Sequence, residues 1–148
     1  MNPPINRSTS SDYSDLSQDH IAAGINWISG ISSSEKWNLT IKETVELLGV
    51  ISPEKYYDIQ RKAANGLPLS LDRDTFVRIS LLLGIWRALQ IIVPKNREDL
   101  AYSWFHQANT NHVFEGKSIK QYLLDRKSIE ALHVVRRYLD AACMQAKL

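Results

Sequence analysis

The sequence predicts an all-α chain. Apolar residues recur at three- and four-residue spacing through most of its length, helix start and stop signals punctuate it at short intervals, and no run of four or more residues alternates as a strand would. The 148 residues suffice for one compact domain or two small ones. Three parts are expected: a disordered lead-in over 1–14, a helical domain over 15–94 and a smaller helical domain over 95–148.

Residues 1–14 are rich in Ser, Pro and Asn and offer little to bury. A first helix is expected over about 16–37, with Ile21, Ile25, Ile28 and Ile31 on one face. Gly24, Gly30 and Ser32-Ser33-Ser34 weaken its second half. Thr40 and Glu43 form a capping box: the Thr hydroxyl accepts from the N–H of residue 43 while the Glu carboxylate reaches back to the N–H of residue 40. The second helix ends at Leu48, before Gly49. Ser52-Pro53 opens a third, by a hydroxyl cap followed by a proline at the first helical position, and it runs to about Ala63. Ser70 is expected to cap a long segment over 71–93, with Phe76, Ile79, Leu83, Trp86 and Leu89 as its apolar stripe, Gly84 as a break point and Pro94 as the stop.

The last third predicts a helix over about 97–107, with Leu100, Ala101, Trp104 and Phe105 inward. A polar loop over 108–116 follows. Ser118 with Gln121 predicts another capping box and a short helix to Leu124. The final helix opens at Ser128 and carries Leu132, Val135, Leu139 and Ala142 as its stripe.

Composition excludes several function classes. The formal charge is only +2, so nucleic-acid binding has to come from local geometry rather than bulk attraction. The single cysteine, Cys143, cannot form an internal disulfide, and His20, His106, His112 and His133 are scattered, so no metal site is expected. A Gly-rich phosphate loop and a Ser/His/Asp motif are both lacking, and the expectation is a non-enzyme without cofactors. The N-terminus has no apolar signal core, and the longest apolar stretch, Leu81 to Val93, is interrupted by Gly84, Arg87 and Gln90. The expectation is a soluble, cytoplasmic protein without membrane contact.

Three patterns remain as carriers of function. The helices at 41–48 and 53–63, joined by Gly49-Val50-Ile51-Ser52, have the outline of a helix-turn-helix. Its second helix offers Lys55, Tyr57, Gln60, Arg61 and Lys62 to a DNA groove, with Tyr56 and Ile59 inward. In the loop from Trp104 to Gly116, Val113 and Phe114 either fold back into the core or stand out as contacts. Arg136-Arg137 on the last helix is either a solvated face or a cationic pair for an acidic or phosphate-lined pocket.

The run Leu47-Leu48-Gly49 through Tyr56-Tyr57, then Leu69-Ser70-Leu71-Asp72 and Arg78 through Leu89, resembles the Xre-like helix-turn-helix of the Xre/MbcA/ParS antitoxin family. Ala101-x-x-Trp104, Asn109, Phe114, Gly116 and Ser118, with Val135-Arg136-Arg137-Tyr138-Leu139-Asp140-Ala141, resembles that family's C-terminal toxin-binding domain. The resemblance covers about Trp37 to Ala141 and implies an all-helical antitoxin that dimerises. Its implied partner is a RES-domain toxin that destroys NAD, whose active-site entrance the C-terminal domain covers. Many members also bind their operator DNA. The toxin contacts it implies are Trp104, Asn109, Phe114, Gly116, Arg136 and Arg137. The chain departs from the family pattern at Pro53, Glu54 and Asp58 on the third helix, at Glu115, and at Arg126-Lys127. The alternatives are a DNA-binding regulator without a toxin, and an immunity-type binding protein without DNA.

Overall fold

A computed structural model describes residues 18–108 and 112–146. Among them there are seven α-helices, one 3₁₀ turn and no strand: α1 (18–31), α2 (Ile41–Leu48), α3 (Pro53–Ala64), α4 (Arg73–Ile92), α5 (Glu98–His106), the 3₁₀ turn His112–Phe114, α6 (Ile119–Arg126) and α7 (Ile129–Ala146). The expected lead-in over 1–14 lies outside the described residues.

Helix α1 buries Ile21, Ile25, Ile28 and Ile31 and runs unbroken through Gly24. An ideal Cβ at Gly24 would stand 2.9 Å from Ile79 Cγ2, so this glycine brings α1 close to α4 rather than weakening the helix. The helix stops at residue 31, not 37. Beyond it the chain turns back, with Trp37 N–H donating to Ile31 O at 2.9 Å and Leu39 N–H to Ser32 O at 3.0 Å. That turn carries Trp37 into the core.

The capping signals act as expected at α2 and α3. Thr40 and Glu43 exchange both hydrogen bonds of the box at 3.0 Å, Gly49 closes α2 at φ +69°, and Ser52 Oγ accepts from Lys55 N–H at 3.2 Å ahead of Pro53. At α6 only half the box forms. Ser118 Oγ accepts from Gln121 N–H at 2.9 Å, but the Gln121 amide donates to Asp125 at 2.7 Å instead of turning back. At α4 the cap position is Asp72, not Ser70, and Asp72 makes no side-chain cap bond.

Helix α4 is continuous, so Gly84 does not split it. Its most deeply buried residues are Leu82, Ile85 and Leu89. Of the expected stripe, Ile79 and Leu89 are buried, while Phe76, Leu83 and Trp86 are half-buried. The helix is long and apolar enough to cross a membrane by length and composition, unlike the shorter stretch read from sequence, yet it packs as a core helix. Helix α7 lies along it in the same direction. Arg78 reaches the foot of α7 at Lys127 O, Arg136 lies over Gly84, and the Cys143 thiol faces Ala88 O at 3.4 Å.

One hydrophobic cluster runs from Ile21 to Cys143 and takes residues from both sides of Pro94. At the centre is Trp37, fully buried. It stacks on Phe105 of α5 (centroids 3.8 Å, interplanar angle 7°) and meets Trp27 of α1 and Trp86 of α4 edge-on at 5.5 and 6.2 Å. Four segments therefore meet on one indole.

The Trp37 Nε1–H is buried without a hydrogen-bond partner, so the indole stabilises the fold by volume and ring contact alone. Trp37→Phe keeps a ring and removes the orphaned donor, and should cost no more than about 1–2 kcal/mol. Trp37→Ala should cost about 3–5 kcal/mol. Urea unfolding of both variants measures the gap, and equal costs would remove the cluster from its central place.

Candidate partner-binding surfaces

The α2–turn–α3 unit has helix-turn-helix proportions, with a glycine in a four-residue link between two short helices. Tyr56 and Ile59 face inward as expected. Of the proposed reader residues, Lys55 and Tyr57 are exposed, Tyr57 at 54%. Gln60 is half-buried, and its amide donates to Ser29 Oγ of α1 at 2.9 Å, so it is tied into the fold instead of free for a base edge. Arg61 and Lys62 both engage Asp58, at 2.9 and 3.1 Å. The Lys62 and Arg61 hydrogen bonds hold the exposed Asp58 carboxyl below the usual aspartate range. Two of the three α3 cations are thus partly neutralised by an acid on the same face.

Sequence reasoning missed Ile51. It sits in the link and is 90% exposed, the most exposed large apolar side chain described. The signal was present, since an isoleucine between a C-capping Gly49 and the Ser52-Pro53 start has no helical stripe to join.

Helix α2 is bound to α6 through polar pairs. Lys120 Nζ lies 3.3 Å from Glu43 and also donates to Asn38 O, and Lys127 Nζ lies 3.3 Å from Glu46. Burial pushes the Glu43 carboxyl up, but the Thr40 N–H and Lys120 outweigh it, leaving it below the usual glutamate value.

In the C-terminal half, Phe114 is fully buried and packs edge-on against Tyr122 (5.5 Å) and Tyr138 (5.1 Å). It is a support beneath the loop, not an exposed anchor. Two aromatic rings are there to receive it, and burying it removes a large apolar surface from water. Arg136 is also placed differently from the expected free cation. Its guanidinium lies over the bare backbone of Gly84 and pairs with Asp140 at 3.2 Å. Trp104 is half-buried against the core. Gly116 is exposed at φ +79°, a backbone conformation that favours glycine. Asn109 lies outside the described residues.

Arg137 remains exposed, with no ion pair among the described residues. It shares a face of α7 with Ala141 and Met144 by three- and four-residue spacing. Both of those are exposed, Met144 at 70%. Sequence reasoning missed Met144 because it lies past the last recognised stripe position. A second apolar surface lies between α1 and α4, a groove of about 440 Å³ lined by Ile21, Ala23, Trp27, Phe76 and Leu83. Among the described residues no group of His, Cys, Asp and Glu could hold a metal ion.

An alignment over 108 residues relates the chain to y4oB, an uncharacterized protein of Sinorhizobium fredii (strain NBRC 101917 / NGR234). The two are 32% identical over 73% of this chain and 76% of that protein. The chain belongs to the y4oB family. No family model matches it, and no solved structure does.

The charge arrangement on α3 has a measurable consequence. Asp58→Asn releases Arg61 and Lys62, so any affinity of α3 for duplex DNA should rise. The plot of log affinity against log salt should also steepen by about one to two units. Anisotropy titration at several salt concentrations measures both. An unchanged slope would mean that α3 does not face phosphate.

Proposed function

We propose that this y4oB-family protein is a non-enzymatic antitoxin that binds a RES-domain, NAD-degrading toxin through its C-terminal half and covers the toxin's active-site entrance. The support comes from the residues that resemble a toxin-binding domain, from Ala101 to Ala141. The observation that carries the reading is the outer face of α7. Its inner face is spent on α4, while Arg137, Ala141 and Met144 stand free in one row beside a loop braced by Phe114. A guanidinium and a flexible apolar side chain two turns apart on one helix face suit a protein partner, because arginine and methionine are enriched at such interfaces.

Homodimer pairing belongs to the same reading, and the apolar groove between α1 and α4 offers it a surface. Operator binding is the weaker component. Lys55 and Tyr57 stand ready, but Gln60 is tied to Ser29 and Asp58 occupies Arg61 and Lys62. The exposed Ile51 beside this mixed-charge surface favours the immunity-type alternative, a binding protein without DNA, over a DNA-binding regulator without a toxin.

Deleting 95–148 is not a clean test, because α7 completes the core over α4. Surface variants are. Co-expression with a RES-domain toxin should keep the host growing and its NAD intact. Arg137→Asp with Met144→Asp should weaken the complex at least about 30-fold, since truncating an interface anchor typically costs ~2 kcal/mol or more. Protection should be lost while the thermal unfolding of the free chain is unchanged. Full protection by the double variant would refute this placement of the surface.

A further inference from the structure

Arg78 of α4 reaches the C-terminal ends of both α2 and α6. It sits on α4 with its side chain 13% exposed. Its Nε donates to Asp74 Oδ2 at 2.7 Å, and its Nη1 donates to Lys127 O at 3.0 Å and to Leu47 O at 3.4 Å. Leu47 lies in the last turn of α2, and Lys127 is the C-cap of α6, held at φ +52°. Both acceptors are carbonyls at helix C-termini, where the last turn has no intrahelical donor left and the helix dipole is negative. Without a cation between them, two like partial charges would face each other.

The turn after α2 rests on the same group. An ideal Cβ at Gly49 would stand 3.0 Å from Asp74 Oδ2 and 3.2 Å from Arg78 Nε. The turn is thus packed on the ion pair, with backbone at φ +69°. Lys120 pairs with Glu43 farther along α6, and at the elbow itself the other ion pair is Lys127–Glu46, in which the lysine side chain is 51% exposed. An exposed pair of that kind contributes little.

We propose that Arg78 is a coupling pin: it fixes the α2–α3 turn to the α6–α7 elbow, so that displacing either loosens the other. Both ends depend on one planar donor fork that cannot follow them in two directions. An elbow that moves away takes the 3.0 Å acceptor of Nη1 with it. The guanidinium must then swing, and doing so withdraws it from Leu47 O and from the floor under Gly49. A partner that shifts α7 is thereby felt at the helix-turn-helix, and a ligand of α3 is felt at α7. The coupling is a property of the free chain and holds whichever partner binds.

Amide hydrogen exchange on the full chain tests it. Arg78→Met keeps the side-chain length and removes every donor. The reporters are the Gly49 and Val50 amides at the turn and the Lys127 amide at the elbow, each bonded in the native fold. Exchange at both ends should rise at least about tenfold together, as expected when a charge-assisted bond to a partly buried group is lost. The Trp37 and Gln107 amides, bonded elsewhere, should stay within about threefold. Faster exchange at one end alone overturns the proposal, and so does a uniform rise across all five amides. Glu46→Gln breaks only the exposed pair and should leave both ends unchanged. If it reproduces the two-ended effect, the ion pair is the link and Arg78 is not. If Arg78→Met does not fold, Arg78→Lys is read by the same criteria, with the paired rise expected at about threefold.

Discussion

The packing of α7 along α4 is the constraint on which the rest of the structure depends. Helix α4 is apolar around most of its circumference and has the length and composition of a membrane span. In this fold one side of it is buried against its neighbours, and α7 makes the most extensive contact. The parallel register is set at three points: the elbow held by Arg78, the Arg136 guanidinium across Gly84, and the Cys143 thiol against Ala88 O. That register decides which side of α7 is used up. Leu132, Val135 and Leu139 turn inward, and Arg136 is drawn onto the neighbouring backbone. Arg137 and Met144 are among the α7 side chains left exposed to solvent.

Trp37 then ties α1, α4 and α5 together. It belongs to neither long helix, yet it stacks on α5 and meets rings from α1 and α4. An indole at this point fills a space bounded by three helices. Of the ion pairs between α2 and α6, Lys127–Glu46 is open to water at its lysine and contributes little, while Lys120–Glu43 is the more enclosed.

Much of the fold was legible because local chemistry decides it. Thr40 with Glu43, Gly49, Ser52-Pro53 and Ser118 act within four residues of themselves, and their signals survive into the structure. What depends on distant neighbours was not legible. Gly84 reads as a helix breaker until Arg136 is seen to lie across it, and Gly24 reads as a weakness until Ile79 is seen against it. Ser70 was expected to cap α4, but the helix starts later, past Asp72, and forms no side-chain cap. Among the candidate site residues, Lys55, Tyr57 and Arg137 stand exposed, whereas Gln60, Phe114 and Arg136 are engaged by Ser29, by two tyrosines and by Asp140. A polar or aromatic residue in a loop or on a helix does not reveal from sequence alone whether the fold has a use for it. Ile51 and Met144 were missed for the converse reason, being apolar residues the core leaves out.

The account makes the outer face of α7 the binding surface and the inner face its anchor. Amide exchange footprinting of the chain in complex with a RES-domain toxin measures this directly. The account predicts that the slowing on binding centres on α7 around Arg137 to Met144 and on the loop over 112–118, with α3 slowed little. Slowing centred on α3 and the turn at Ile51, with α7 unchanged, would contradict it.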